Sequence, residues 1–467
     1  MSAPRWKFLS VLLSLVSGGL SMSAPPASAE ITLPHFFGDH MVLQQDRPIP
    51  VWGSACKGED VTVTLAGESR TAKAGDDGRW KVVLPSLHKD GELELTVKGS
   101  SGSSRVLKDV LLGEVWVCAC QSNMEKPIGP HPGQKPCPNW EKEIAQADYP
   151  QIRLLEVPPT RAREPATDVD GKWLPCSPQN IVIKRGGGHG YSACAYFFGR
   201  QLHQELKVPI GLIAASASGT RCEPWTPRRD ASAKEAPVWY NGMIAPLMPM
   251  ALRGVIWYQG ESNIGDGMKY YPKMKELITG WRRAWGQGDF PFYFVQLPDF
   301  GCGNDSLARL REAQTATLSL PNTGMAVTID IGSYPDCHCP NKQDVGKRLA
   351  LWALAKDYGR TDLVYSGPLY KSMQVEGGKI RLRFDHPGSG LATRDGSSDL
   401  TCFEIAGADG AFVKAEARID GESVLVASPA VPSPTAVRFA WDERAVPNLM
   451  NKEGLPASTF RTNPPSE

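Results

Sequence analysis

The feature that most constrains this chain is a set of short, nearly unbroken apolar runs separated by helix-length stretches. Leu111-Leu112-Gly113-Glu114-Val115-Trp116-Val117, Ile210-Gly211-Leu212-Ile213-Ala214 and Gly254-Val255-Ile256-Trp257-Tyr258 have the length of buried strands. A helix is expected over Tyr196 to Leu206. Another is expected over Asn341 to Tyr358, with Val345, Leu349 and Trp352 on one face and Pro340 suited to its first position. Strands alternating with helices indicate a parallel α/β sheet across residues 109–361. In such sheets ligands sit beyond the carboxyl ends of the strands.

The flanks read differently. Over residues 30–108, Val61, Val63 and Leu65 alternate with polar residues, as do Leu93, Leu95 and Val97. Turn signals at Lys57-Gly58-Glu59-Asp60 and Asp76-Asp77-Gly78 separate these runs, so a small β-sandwich is expected. Residues 362–467 return to β patterning, with Ile380, Leu382 and Phe384, then Val424 and Val426, then Val437 and Phe439. Residues 127–138 form a proline-rich loop and Gly186-Gly187-Gly188 marks another. Residues 1–29 read as a cleaved signal peptide: Arg5 and Lys7, an apolar run from Phe8 to Val16 too short to span a bilayer, and Ala27-Ser28-Ala29 as cleavage site. The mature chain is therefore expected to be exported, periplasmic or extracellular, without a membrane span.

The length of 467 residues indicates two or three domains, and 41% hydrophobic residues are enough for a sizeable core. A net charge of +1 gives no case for nucleic acid. Thirteen Trp and twelve Tyr suit sugar binding and packing equally. Eleven cysteines remain after leader cleavage; export permits disulfides, and the odd number leaves at least one thiol outside any internal pairing.

The first apolar strand ends in a polar cluster, Gln121-Ser122-Asn123. A serine hydroxyl is a weak nucleophile until a base takes its proton. Of eight histidines, only His338 follows an expected α/β strand (Gly324 to Ile331) and precedes a helix, at the same sheet edge as Ser122. Asp336 and Asp330 are both candidates to orient it. Donors for a developing oxyanion are available in two further strand-end loops, Ser216-Ala217-Ser218-Gly219-Thr220 and Gln259-Gly260-Glu261-Ser262-Asn263. Taken singly, each is ordinary: a serine after a strand is usually a turn or cap, and a histidine before a helix is usually structural. Four polar loops at one edge of one sheet are what a serine esterase requires.

The stretches "GEVWVCACQSNME", "IAASASGTRCEPW", "GVIWYQGESN" and "DCHCPNKQDVGKRLALWAL" resemble, in order, the motif blocks of the sialate O-acetylesterase family, among the SGNH-type hydrolases. "LPHFFGDHMVLQQDRPIPVWG", "SGPLYKSM" and "NKEGLPASTFRTN" extend the resemblance over about residues 30 to 462. It implies a flavodoxin-like three-layer α/β/α domain with β domains around it. It also implies removal of acetyl groups from sugar hydroxyls, with no metal or cofactor. By position it implies Ser122 as nucleophile and His338 as base. Gly219 and the Ser122 N–H are implied as oxyanion donors, with Gln259 as the side-chain donor ahead of Asn263. Glu223 and Glu261 are implied as residues that hold these loops, and Asn123, Asn263 and Arg311 are further candidates to bind substrate or support the site.

The chain departs from the family pattern in places. Cys120 replaces the glycine of S-G-Q-S-N-M, Cys337 and Cys339 flank the histidine of I-H-P, and Ser216 to Arg221 replaces S-W-G-G-T-P. The wider D-x-x-H pattern would put the carboxylate at residue 335, which is proline, so Asp336 is offset by one and Asp330 or a backbone carbonyl competes with it. The cysteines fall on both catalytic loops: either a disulfide joins Cys120 to Cys337 or Cys339, contributing roughly 2–5 kcal/mol, or each cysteine is a small buried hydrophobe. Three functions compete: an exported carbohydrate O-acetylesterase, an inactive relative that binds acetylated glycans, and a metal site built from Cys118, Cys120, Cys337, His338 and Cys339, whose spacing is not that of structural zinc. A sialic acid carboxylate would call for an arginine, Arg221 or Arg311, whereas acetylated xylan would need none.

Overall fold

The computed structural model describes residues 1–2, 30–183, 190–228 and 236–463. The expected signal peptide, apart from its first two residues, and the glycine run Gly186 to Gly188 with His189 lie outside the described residues.

The apolar runs become the middle of one sheet. In chain order its strands are β1 (Ser104–Cys120), β2 (Tyr149–Glu156), β3 (Trp173–Cys176), β4 (Ile210–Ser216), β5 (Gly254–Tyr258), β6 (Phe292–Gln296) and β7 (Thr323–Val327). Their spatial order is β7-β6-β5-β1-β4-β2-β3, parallel throughout except for the antiparallel edge pair of β2 and β3. Every residue of β4, β5 and β6 is buried, as is β1 from Val110 onward. Burial on both faces is why these strands read as continuous apolar runs rather than alternating ones.

Helices cover both faces. They are α1 (Ser122–Glu125), α2 (Ala193–Leu206), α3 (Tyr270–Trp285), α4 (Ser306–Ala316) and α5 (Lys342–Asp357). Trp116 and Trp257 point to opposite faces, since Trp257 is level with Ala119 of β1. Trp116 packs edge-on against Phe198 of α2 at 5.0 Å, and Trp257 against Trp281 of α3 at 6.0 Å. The catalytic region is thus the expected three-layer α/β/α domain. Helix α2 begins three residues before the expected start because Ser192 caps it, its hydroxyl accepting from Ala195 N at 3.1 Å. Asn341 caps α5 by accepting from Asp344 N at 3.0 Å, so Pro340 lies just before the cap and not inside the first turn.

The 17-residue strand β1 joins two units. Its start pairs antiparallel with Leu93–Gly99 of the N-terminal β region, and from Glu114 it pairs parallel with β4. The change of character near residue 109 therefore falls inside one continuous strand. Val61, Val63, Leu65, Leu95 and Val97 are buried, as their alternation implied. The C-terminal region forms further antiparallel sheets that lean on the catalytic domain. Ser458 hydrogen-bonds Gln296 of β6 at 2.8 Å, Arg461 pairs with Glu312 of α4 at 2.7 Å, and Arg394 donates to the Asp330 carbonyl at 2.9 Å. Among the described residues, no helix is long and apolar enough to cross a membrane.

Helices α2 and α5 meet across Gly346. A Cβ there would lie 2.6 Å from Phe198 N and 2.7 Å from Phe197 Cβ. Overpacking costs about 1–3 kcal/mol, more than the roughly 1 kcal/mol of helix propensity that alanine adds over glycine. Gly346→Ala is expected to lower the urea midpoint at unchanged m-value; an equal or higher midpoint would mean that the two helices part without cost.

Candidate active site

Three loops start level with one another at the carboxyl edge of the sheet, because Cys120 pairs with Ser216 on one side and with Tyr258 on the other. A fourth follows β7. These are the loops singled out in the sequence. The turn out of β1 is sharp: Cys120 has φ +130°, a backbone region that favours glycine. The turn delivers Ser122 as the first residue of α1, where helix N–H groups lack intrahelical partners.

His338 Nε2 stands 3.1 Å from Ser122 Oγ, and its Nδ1 stands 3.0 Å from Asp336 Oδ1. The same carboxylate oxygen accepts from His338 N at 2.9 Å, so Asp336 fixes both ring and backbone. With the proton on Nδ1, Nε2 is free to accept from the serine hydroxyl. Burial lowers the imidazole below its ordinary 6.5, Asp336 works against this, and the positive charges of Lys342 and Lys126 add to the lowering. The ring is therefore neutral and basic at neutral pH. Asp330, the competing carboxylate, forms a two-point pair with Arg348 at 2.6 and 2.7 Å. The one-residue offset of Asp336 is absorbed by a tight turn in which Asp336 N donates to Ser333 O at 2.9 Å.

Gly219 has φ +70°, with open space where a side chain would begin. Its loop is braced by Ala217 N donating to Cys120 O at 2.7 Å and by Ser218 Oγ donating to Glu125 at 2.6 Å. Gln259 does not present its amide to the serine. Its Nε2 contacts Asn263 Oδ1 at 2.7 Å, Gln121 Oε1 at 3.2 Å and Thr220 O at 3.3 Å, so it staples three loops together. Asn263 is likewise engaged, its Nδ2 donating to Asp266 at 2.6 Å and to Glu223 at 3.1 Å.

Around Asn263 lies a charge network of Arg221, Glu223, Asp266 and Lys273. Arg221 reaches Asp266 at 2.9 Å and Glu223 at 3.0 Å, and Lys273 reaches the same two carboxylates at 2.7 Å. Burial opposes it, yet hydrogen bonds from Lys273, Arg221 and Asn263 pull the Glu223 carboxyl down to about 2. Arg311 is enclosed, 1% exposed, with its Nε donating to Leu297 O at 2.8 Å. It supports the loop after β6 and offers no surface to a substrate. Glu261 is half-buried with its carboxyl turned inward, and that enclosure raises the carboxyl above the usual range.

The disulfide between the two loops is absent: all eleven cysteines are free thiols. Cys120 is fully buried, which together with Cys222 and Glu261 raises its thiol well above the ordinary value against a hydrogen bond from Thr220. The two catalytic loops are tied instead by an amide, Asn123 Nδ2 donating to the Cys337 carbonyl at 2.9 Å. Among the described residues, Asp336, Cys337 and His338 bring ligand atoms within 4.8 Å of one another, without Cys118 or Cys120. Both ring nitrogens of His338 already face Asp336 and Ser122.

Two lysines at the site escaped the sequence reading. Lys342 opens α5 and contacts Asn123; Lys126 follows α1 and anchors the proline-rich loop through the Lys135 carbonyl at 2.6 Å. Burial and the nearby Lys342 lower Lys126 to about 8. One signal was available for Lys342: a cation in the first turn of a helix runs against the macrodipole.

A family model described as carbohydrate esterase, sialic acid-specific acetylesterase, matches residues 112–355. A sialate O-acetylesterase of Pongo abelii is 34% identical over 398 residues, covering 73% of this chain and 73% of that protein. The sialate O-acetylesterase of Homo sapiens is 33% identical with the same coverage. The crystal structure of a carbohydrate acetylesterase from Xanthomonas citri matches with a TM-score of 0.85 and 39% identity, covering 93% of this chain and 99% of that one.

The two carboxylates should separate by experiment. Asp336→Asn is expected to leave the thermal midpoint near wild type and to lower kcat by about 10²–10⁴-fold through a wrong histidine tautomer. Asp330→Asn leaves Arg348 in a buried place without its anion and should cost roughly 3–5 kcal/mol of stability, with kcat at permissive temperature close to wild type. The reverse pattern, in ester hydrolysis and melting curves, would exchange their roles.

Proposed function

We propose that this chain, which belongs to the sialic acid-specific carbohydrate acetylesterase family, hydrolyses acetyl esters on sugar hydroxyls with Ser122 as nucleophile and His338 as general base. As a carboxylic ester hydrolase it needs a group that attacks the acetyl carbonyl and a group that moves protons. The observation that carries the reading is the chain Asp336–His338–Ser122, with links of 3.0 and 3.1 Å. Ser122 Oγ attacks the acetyl carbon while His338 Nε2 takes the hydroxyl proton. Charge developing on the carbonyl oxygen is met by the N–H groups of Ser122 and Gly219. The imidazolium, stabilised by Asp336, then gives its proton to the departing sugar oxygen. Water, activated by the same nitrogen, releases acetate and restores the serine.

The binding-only alternative draws on the cysteines around the site, but none of them displaces the serine, the imidazole or the carboxylate from hydrogen-bonding range. For the sugar, a second reading has a specific observation behind it. Both arginines considered for a sialate carboxylate are engaged elsewhere, Arg221 with Glu223 and Asp266 and Arg311 in the interior. That favours a neutral acetylated glycan such as xylan beside acetylated sialic acid. The basic start, short apolar run and Ala27-Ser28-Ala29 support export ahead of a mature enzyme from residue 30.

Acetate release from O-acetylated sialic acid and from acetylated xylan, measured side by side, tests the reading. Ser122→Ala should lower kcat by about 10³-fold or more on whichever substrate is used. No release from either substrate, nor from aryl acetates, by folded wild type would overturn it in favour of glycan binding. The base also sets a pH signature. kcat/KM should rise through an acid limb placed below the ordinary imidazole value of 6.5, since burial and two lysines disfavour the protonated ring. A limb above that value would contradict the neutral-base assignment.

A further inference from the structure

Lys342 occupies a place that chemistry disfavours. It is fully buried at the first position of α5, where the helix dipole repels a cation and the interior offers no water. Its Nζ donates to Asn123 Oδ1 at 2.5 Å and lies 4.5 Å from the centre of the Tyr258 ring. Asn123, also fully buried, turns its other end the opposite way: Nδ2 donates to the Glu261 carboxylate and to the Cys337 carbonyl. One amide thus receives from a buried ammonium and gives to an enclosed carboxyl group and to the carbonyl of the residue before His338. Asn123 itself follows Ser122.

We infer that Lys342 is a positioning residue for the ester hydrolysis proposed above: by fixing the orientation of the Asn123 amide, it holds the turn of Ser122 in register with the loop of His338. An asparagine side chain can sit either way round, and only one way puts hydrogens on Glu261 and the Cys337 carbonyl. The ammonium at Oδ1 selects that way. The clamp rests on the serine–histidine reading and would have no purpose without it.

The same ammonium bears on the base. The groups facing His338 are Ser122 from α1, Asp336 and the Cys337 thiol from its own loop, Lys342 from α5 and Lys126 from the segment after α1. Glu261 lies behind Asn123. Asp336 favours the imidazolium, whereas burial, Lys342 and Lys126 oppose it. Losing the Lys342 charge should therefore make His338 easier to protonate.

The test uses Lys342→Met and Asn123→Ala in the full chain, with 4-nitrophenyl acetate as substrate. Lys342→Met is expected to lower kcat by about 10- to 100-fold, the scale of a small misplacement of a reacting pair. KM should change less than about threefold, and the acid limb of kcat/KM should move upward. Asn123→Ala removes the relay and keeps the ammonium, so kcat should fall comparably with a smaller movement of the limb. A folded Lys342→Met with wild-type kcat, or with lowered kcat and an unmoved limb, overturns the inference. If that variant does not fold, wild-type kcat in Asn123→Ala does so. Labelling wild type with a serine-directed fluorophosphonate keeps the two readings apart. Modification at Ser122 alongside an unaffected Lys342→Met sinks only the clamp; an unmodified Ser122 with an active Ser122→Ala sinks the serine mechanism and the clamp with it.

Discussion

Everything at the site depends on β1 being buried on both faces. From Val110 to Cys120 every residue of that strand is buried, and its one charged side chain, Glu114, is taken up by Arg253, Gln44, Gln45 and Tyr358. The next hydroxyl and amide side chains come in the turn that ends it. Because β4 and β5 flank β1 in parallel and finish at the same level, their polar turns arrive at the same place. The site is thus a consequence of sheet register, and the chemistry sits where the strand order reverses direction around β1.

That geometry explains why the fold and the meeting of Ser122 with His338 were legible in the sequence while the connections were not. Apolar runs and helix caps are local signals, and Ser122 and His338 could be placed at one edge from strand ends alone. The orienting carboxylate depends on the path of a turn, so Asp336 and Asp330 could be separated only once Asp336 was seen to fold back onto the ring and Asp330 to meet Arg348. Gln259 and Arg311 looked suited to a substrate because amides and guanidiniums often are. Gln259 reaches across the site to Gln121, while Arg311 is enclosed with its Nε on the Leu297 carbonyl and its Nη1 3.5 Å from the C-terminal Thr459. Lys342 is the extreme case: its meaning lies in a contact with Asn123, which no local pattern encodes.

The cysteine substitutions look different in this light. A disulfide between the catalytic loops would have stabilised the site through chain entropy. The protein joins the same loops through a buried amide instead, Asn123 Nδ2 donating to the Cys337 carbonyl. Cys120 carries a cost that glycine would avoid, since a side chain at φ +130° is strained by about 1–3 kcal/mol. The strain is confined between fixed points: Cys120 is paired on both sides in the sheet, and its carbonyl accepts from Ala217 N at 2.7 Å. A turn held that firmly cannot relax by moving Ser122 away from His338.

The electrostatics follow from the same enclosure. An esterase base must be neutral to accept a proton and yet must tolerate the charge once it has it. Burial alone would satisfy the first condition and defeat the second. In the proposed mechanism Asp336 would supply the second, since its carboxylate lies 3.0 Å from the Nδ1 atom of the ring. Burial is the largest influence on the ring and lowers its pKa against Asp336, and Lys342 and Lys126 add to that lowering. Neither lysine touches the ring, and each is engaged with oxygen atoms of another loop. The charges that tune the base are therefore the same groups that hold the walls of the site, and a change in either function should be felt in the other.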